Sequence, residues 1–124
     1  MALEELISIL VASNELSILL GASIRDSRIE PTPRSGEGIG YNFIPLINDG
    51  CLQQSQLELK IANANLINCC AIKSIIDSLL ITIGDNRLTS NILSCSHNGG
   101  GQYKDVDSGL FILQANYTIT ERVI

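Results

Sequence analysis

Four cysteines and a single histidine are the residues of this chain that could bind a metal ion or act as a nucleophile and its base. Cys69 and Cys70 are adjacent in a segment with helical periodicity, so their side chains should diverge by about 100°. Cys95 and His97 would share one face of a strand. A zinc site made from one of the adjacent cysteines with Cys95 and His97 lacks the paired spacing of structural zinc ligands. We therefore expect reduced, metal-free cysteines, with buried structural thiols as the favoured interpretation.

Catalysis by His97 would require a nucleophile and an orienting group on the same side of the sheet. Ser94 and Ser96 are close in sequence, but on a strand they point away from the face of His97. We therefore predict no catalytic residue. A small enzyme centred on Cys95 and His97 remains a distant alternative.

Two glycine-rich segments and a set of aspartates could suggest a phosphate or calcium site. A phosphate loop follows a strand and precedes a helix, whereas a strand follows both residues 36–40 and residues 98–101. The aspartates lack the Asp-x-Asp-x-Asp-Gly spacing of a calcium loop; they are Asp49, Asp85, Asp105 and Asp107. We predict no cofactor.

The charge balance is acidic, with 8 Lys and Arg against 13 Asp and Glu and a formal net charge of −5. Sequence-specific binding to DNA or RNA usually needs a basic face, so this balance argues against it. No apolar stretch approaches the roughly 20 residues of a membrane-spanning helix, and we predict no membrane partner. Glu4 and Glu5 stand where a signal peptide carries positive charge, so we expect no export and a reducing compartment.

Apolar residues recur at helical spacing in two segments. Residues 3–11 form an amphipathic helix, and residues 66–83 form a longer one that ends at Gly84. Asn63 or Asn65 is the predicted N-cap of the second helix. Its residues predicted to be buried include Ile72, Ile76 and Leu79.

The last segment, residues 110–123, alternates apolar and polar residues with the period of a half-buried strand. At about 3.3 Å per residue this strand would reach roughly 45 Å, whereas a domain of this size is only about 30–35 Å across. We therefore expect the strand to bend or to project past its domain, where its edge would pair with a neighbouring subunit.

Together these patterns predict one α+β domain over residues 1–124, with an antiparallel or mixed four-stranded sheet and two main helices packed on one face. The predicted strands are residues 39–47, 56–63, 91–97 and 110–123. The connections are predicted to be an extended loop over residues 22–38, a long hairpin connection over residues 48–55 and a glycine-rich loop over residues 98–109.

This order of elements resembles the small tail-terminator and tail-completion proteins of long-tailed bacteriophages and of related phage-tail-like particles. The resemblance covers nearly the whole chain. Its landmarks are the opening helix, an Arg/Pro loop from Arg28 to Arg34, the strand with Tyr41 and Phe43, the first hairpin, the second helix and the final hairpin with its alternating strand.

The resemblance implies a structural protein without enzymatic activity. Six copies would form a ring that caps the tail tube, stops tail polymerisation and joins the tail to the head connector, or closes a phage-tail-like particle. The implied partners are further copies, the tail-tube protein and, in a contractile tail, the sheath protein, while DNA would pass through the lumen without specific binding. The protein would belong to the virion or tail-like particle, and to the host cytoplasm during assembly. The nearest alternative is a head–tail connector or stopper protein of the phage neck.

Two polar loops, residues 27–38 and 98–108, are predicted to reach the adjacent subunit or the next tail ring. The first loop carries Arg28 and Arg34, and the second carries acidic residues that would pair with them across the joint. Such exposed pairs contribute only about 0–1 kcal/mol each, so they would set the register more than the affinity. The full predicted interface is Arg28, Arg34, Glu37, Lys104, Asp105, Asp107 and Tyr117.

Overall fold

Two helices and a five-stranded sheet make up the described part of the chain. The structure is a computed structural model, and it describes residues 2–13, 29–31, 38–82, 87–89, 91–107 and 109–122. The α+β prediction is confirmed. Neither described helix has the length and apolar character needed to cross a membrane. In chain order the elements are α1 (Ala2–Val11), β1 (Ile29–Pro31), β2 (Gly38–Asn48), β3 (Leu52–Asn63), α2 (Leu66–Leu80), β4 (Ile92–Lys104) and β5 (Phe111–Arg122).

Helix α2 begins at the predicted cap and ends earlier than expected. The Asn65 side chain accepts a hydrogen bond from the backbone N–H of Ile67 at 2.9 Å, which satisfies one of the unpaired donors of the first turn. At its other end the helix stops at Leu80, because the backbone is extended at Ile81, so it is shorter than the predicted helix that ends at Gly84. The reason is tertiary, because the backbone N–H of Thr82 donates to the carbonyl of Cys95 in β4 at 3.0 Å.

The apolar stripes of the two helices face the sheet and each other. Ile72 and Ile76 of α2 are completely buried as predicted, whereas Leu79 is only half-buried. In α1, Leu6 and Leu10 are completely buried and join the same core. Helix α2 packs on β3, β4 and β5, and α1 packs against α2, so the described helices share one side of the sheet.

The strand order is β1-β2-β3-β5-β4. The four predicted strands all form and pair antiparallel, as expected for a sheet with helices on one face. The short strand β1 pairs parallel with β2, placing Ile29 beside Ile39, in a segment that we predicted to be loop. This fifth strand makes the sheet mixed.

Strand β5 lies inside the sheet, which corrects the prediction that it projects with an unpaired edge. It pairs with β3 from Phe111 to Arg122 and with β4 from Phe111 to Glu121. Its neighbours are as long as it is, since β3 has 12 residues, β4 has 13 and β5 has 12. Because both neighbours are longer than predicted, every β5 residue from Phe111 to Glu121 pairs with β3, and all but Asn116 also pair with β4.

The predicted glycine-rich loop is largely strand, since β4 continues through Gly99–Gly101 to Lys104. A bulge between His97 and Gly100 interrupts its pairing with β5. A Cβ at Gly100, where φ is +149°, would lie 2.1 Å from the carbonyl oxygen of Gln114. The two backbones approach so closely that only glycine fits.

The β2–β3 connection is a tight turn, shorter than the predicted residues 48–55, because Asn48 already pairs with Gln53. The Asp49 carboxylate accepts hydrogen bonds from the backbone N–H groups of Leu52 at 2.8 Å and Cys51 at 2.9 Å. These bonds, the one from Leu52 first, lower the pKa of Asp49. Gly50 supplies the positive φ of +94° that the turn requires.

The two faces of the sheet differ in chemistry. The helix-covered face is apolar and almost completely buried; it includes Ile39, Leu57, Leu59, Ile61, Leu113, Ala115, Tyr117 and Ile119. The helix-free face is mostly polar; by register it carries Asn42, Gln54, Gln56, Glu58, Lys60, Ser96, Gln114, Asn116, Thr118 and Thr120. This alternation is the one that the strand periodicity predicted.

Candidate functional site

Large aliphatic side chains are exposed around the β2–β3 turn, and we call this group the hairpin tip. It consists of Ile44, Leu46, Ile47 and Leu52, which are 37%, 50%, 64% and 39% exposed. Ile44 and Ile47 pair with Gln56 and Gln54, so they lie on the helix-free face. Leu46 occupies the register shift between Pro45 and Ile47. Clustered exposed aliphatic residues of this kind mark a surface that binds another protein.

A second exposed surface lies at the opposite end of the sheet, in the turn from β4 to β5. Val106 is 93% exposed and Tyr103 is 52% exposed. The Asp105 carbonyl accepts a hydrogen bond from Gly109 at 2.8 Å, and its carboxylate accepts one from the Asp107 backbone at 3.2 Å. The turn therefore presents an apolar residue between two acidic ones on an ordered backbone.

The structure brings some of the predicted interface residues together. Lys104, Asp105 and Asp107 lie at the β4–β5 turn, where the Lys104 ammonium sits 5.4 Å from the centre of the Phe111 ring. Three further predicted interface residues lie outside the described residues: Arg28, Arg34 and Glu37.

Tyr117 is a correction to the predicted interface, because its side chain is completely buried in the core. Its hydroxyl donates to the Asp77 carboxylate at 2.5 Å, and Lys73 donates to the other carboxylate oxygen at 2.7 Å. Burial, followed by the bond to Asp77, raises the pKa of Tyr117. The chain thus uses Tyr117 to tie β5 to α2, because a buried phenol needs a partner.

The sequence analysis did not predict this contact between Tyr117 and Asp77. A signal was present, since Tyr117 lies on the apolar face of a strand and its hydroxyl requires an acceptor. The identity of that acceptor depends on how α2 crosses the sheet, which no local pattern encodes.

The structure separates the cysteines that were considered as zinc ligands. The Cys69 thiol donates to the carbonyls of Ile61 and Phe111, at 3.7 and 3.6 Å, near the start of β5. Cys95 pairs with Ile119 near the other end of that strand. At about 3.3 Å per residue the two cysteines are roughly 20 Å apart. Within the described residues, no group of three His, Cys, Asp or Glu side chains could hold a metal ion.

Cys95 and His97 do share one face of β4, as expected, but they do not form a reactive pair. Cys95 is completely buried, and burial together with the Asp77 carboxylate raises the pKa of its thiol to about 12. His97 is exposed and meets the Tyr117 ring edge-on, with ring centres 5.6 Å apart. Burial of Cys95 keeps its thiol away from any substrate at the surface.

A polar network runs across the middle of the helix-free face. Glu58 accepts hydrogen bonds from the side-chain amides of Asn42 and Gln114, each at 3.3 Å. The Gln114 amide also donates to Asn116 at 3.1 Å. The described strand residues on this face include few charges: Glu58, Lys60 and Arg122. The face is therefore polar and carries few charges.

Comparison with known proteins informs on the fold of this chain. No protein-family model matches the sequence, and no curated protein matches it. Among solved structures, a chain in the virion of the native gene transfer agent particle is similar, with a TM-score of 0.68. The similarity covers 94% of this chain and 91% of that chain at 10% sequence identity. At this identity the two chains share a fold.

Proposed function

We propose that this chain is a structural component of a phage-like particle that forms a ring at the end of the tail tube. The ring stops tail polymerisation and joins the tail to the head connector, or closes a phage-tail-like particle. The observation that carries the proposal is the fold likeness to a chain of the gene transfer agent virion, which spans nearly all of both chains. It agrees with the architectural resemblance to tail-terminator proteins.

The exposed surfaces support an assembly role. The hairpin tip and the β4–β5 turn lie at opposite ends of the sheet and both expose apolar side chains, up to 93% at Val106. A subunit in the middle of a stack needs contacts at both ends. In this proposal one end meets the tail-tube protein, with sheath protein added in a contractile tail, and the other meets the head connector.

Contacts between copies would include the acidic β4–β5 turn. Arg28 directly precedes β1, which lies at the edge of the sheet opposite β4. In a head-to-tail ring of six copies, Arg28 of one subunit would therefore approach the turn of the next that carries Asp105 and Asp107. These pairs would set the register of the joint.

DNA would pass through the lumen without specific binding. The formal net charge of −5 opposes adsorption of a polyanion.

Two alternative functions are to be distinguished from the proposed one by experiment. A head–tail connector or stopper protein of the phage neck would have a similar size and would also assemble into a ring. Similarity of fold does not distinguish it from a tail terminator. The small enzyme centred on Cys95 and His97 is disfavoured, because Cys95 is completely buried.

Electron microscopy of the purified protein and of its particles tests the proposal. We expect hollow rings, and we expect antibody against the chain to label the head-proximal end of the tail tube. Particles produced without the chain should have tails of irregular length that fail to join heads. Uniform, joined tails in its absence would contradict the proposal, whereas uniform but headless tails would favour the connector alternative.

The β4–β5 turn should be altered by point substitution in this test. Deleting residues 99–107 would remove the half of β4 that pairs with residues 111–115 of β5. A loss of function in that deletion would report a damaged sheet. Asp107→Lys changes the charge of the turn at an exposed residue and leaves the ladder intact.

A further inference from the structure

The half of β4 that follows the bulge is an exposed strand edge, which we call the distal edge (residues 100–104). In the first half, the backbone N–H and carbonyl of Cys95 are both bonded to Thr82 at 3.0 Å. From Ser96 to Lys104 every residue is exposed, and β4 is the last strand of the sheet. Among the described residues, β5 is the strand that pairs with the distal edge. Such an edge is a template for a further strand.

Glycine makes the distal edge accessible to another backbone. Gly101 has nothing within 4 Å of its missing Cβ. Among the described residues, no side chain therefore stands in the way of a further strand at this position.

The opposite edge of the same sheet carries a short strand at the same level. Following the register from strand to strand, Ile29 of β1 is level with Gln102, and Pro31 is level with Gly100. Strand β1 therefore ends where the β4 bulge begins. Pro31 has no N–H, so it suits the last position of a ladder.

The two edges also run in compatible directions. Strand β1 is parallel to β2, and each following pair is antiparallel, so β1 and β4 point in opposite directions. Rotation about an axis along the strands keeps both the level and the direction of each strand. In a ring of that kind, β1 of one copy meets β4 of the next as an antiparallel pair.

We infer that β1 of one copy of this chain adds to the distal edge of the next copy, joining the two sheets head to tail. The occupant is a second copy, because level and direction agree between the two edges of one molecule. This inference rests on the proposed ring and replaces the C-terminal strand as its joint.

The joint is small, which has a consequence for assembly. A ladder of three residues spans about 10 Å, and it buries far less than the roughly 800 Å² per partner of a stable interface. One joint alone does not hold two copies together. We therefore expect monomers at low concentration and closure only when all joints form together or on the tube end.

Disulfide trapping tests the joint on the full chain. The exposed native cysteines are first removed by Cys51→Ser and Cys70→Ser. Glu30→Cys and Gly101→Cys are then introduced together, since these positions are level and share the helix-free face. Within one chain four strand spacings, about 19 Å, separate them, so a disulfide between them must join two copies.

A matched control uses Glu30→Cys with Ser96→Cys. Ser96 is on the same face of β4 but is level with Thr118, four residues along β5 from Gln114, the partner of Gly101. We expect the Gly101 pair to give a ladder of linked oligomers on oxidation of the assembled protein. The control should give about tenfold less product, because its Cα atoms lie beyond the ~7 Å limit of a disulfide.

The outcomes separate this inference from the proposed function. Suppose that rings form and antibody labels the tail end, but neither the Gly101 pair nor Glu30→Cys with Tyr103→Cys becomes linked. This result would overturn the joint and leave the proposed function standing. Linkage of Gly101→Cys to a different virion protein would overturn the second copy as the occupant. Absence of both rings and tail labelling would overturn the function and the joint together.

Discussion

At Gly100, the absence of a side chain decides whether β4 can pair with β5. Gly100→Ala would place a methyl group against the Gln114 carbonyl, 2.1 Å away, at a positive φ. We expect a loss of about 2–4 kcal/mol in the free energy of unfolding from the clash and the backbone strain together. Gly101→Ala is the matched control and should stay within about 0.5 kcal/mol, since its Cβ meets nothing within 4 Å. Equal stability of the two variants in urea denaturation would contradict the bulge geometry.

The thiols divide into two classes by burial. Cys51 and Cys70 are exposed, whereas Cys69 and Cys95 are completely buried. At pH 8, well below the pKa of about 12 for Cys95, we expect iodoacetamide to modify the two exposed thiols and spare the buried pair. Mass spectrometry of the native and urea-unfolded protein checks this. Modification of Cys95 at the rate of Cys51 in the native chain would show that the core opens there.

Helix α2 supplies the central contact between the helix layer and the sheet. Ile76 is completely buried in that contact, and its truncation to Ala should cost about 2–5 kcal/mol through lost burial and a cavity. Ile67, on the same helix and 76% exposed, is the matched control. Ile67→Ala should leave the denaturation midpoint nearly unchanged. A similar cost at both positions would contradict packing of Ile76 as its source, since Ala is the better helix former and propensity alone would favour both variants.

A carboxylate joins helix α1 to the segment before β4. Glu5 accepts hydrogen bonds from Thr89 at 2.7 Å and Asn91 at 2.9 Å, and these bonds, the one from Thr89 first, lower its pKa. A lowered pKa in the folded state means stabilisation that is present above the ordinary Glu pKa and is lost as the pH falls through the folded value. Glu5→Gln should therefore destabilise the protein at pH 7 but hardly at pH 3. Denaturation of both proteins across this range measures the difference.

Glu4 provides the control for that titration, because it is exposed on the same turn of α1. Glu4→Gln should change stability little at either pH. A Glu5→Gln effect that persists unchanged at pH 3 would contradict a role for the ionised carboxylate.

At the scale of the whole molecule, the hairpin tip is an exposed apolar surface that the fold itself does not use. Ile47→Glu places a charge on this surface, where the native side chain is 64% exposed. We expect an unchanged denaturation midpoint and at least about a tenfold loss of incorporation into particles, since a charge buried in an interface without a partner is costly. Quantitative immunoblotting of purified particles measures the incorporation.

Ile67→Glu is the control for surface charge, since Ile67 is even more exposed and lies on α2, away from the tip. It should enter particles at the wild-type level. Equal incorporation of both variants would show that the hairpin tip makes no contact in the particle.

Features that depend on neighbours along the chain could be predicted from the sequence. Helical and alternating periodicity identified both helices, the four main strands and the α+β class, and the side chain of Asn65 capped α2 as predicted. These features follow from which face of each element is apolar. The periodicity of apolar residues predicts an element best where the pattern repeats over several helical turns or strand positions.

Other features depend on contacts between residues that are distant in the chain, and these are visible only in the folded structure. Residues 98–104 resemble a loop because glycine is a weak strand former, and β5 holds them in a ladder that compensates. Helix α2 ends early because Thr82 meets Cys95, and Tyr117 is core because its hydroxyl meets Asp77. Strand β5 lies inside the sheet because β3 and β4, which are about as long, pair with it on its two sides. In each case a hydrogen-bond partner far along the sequence overrides the local preference, so only the assembled fold reveals it.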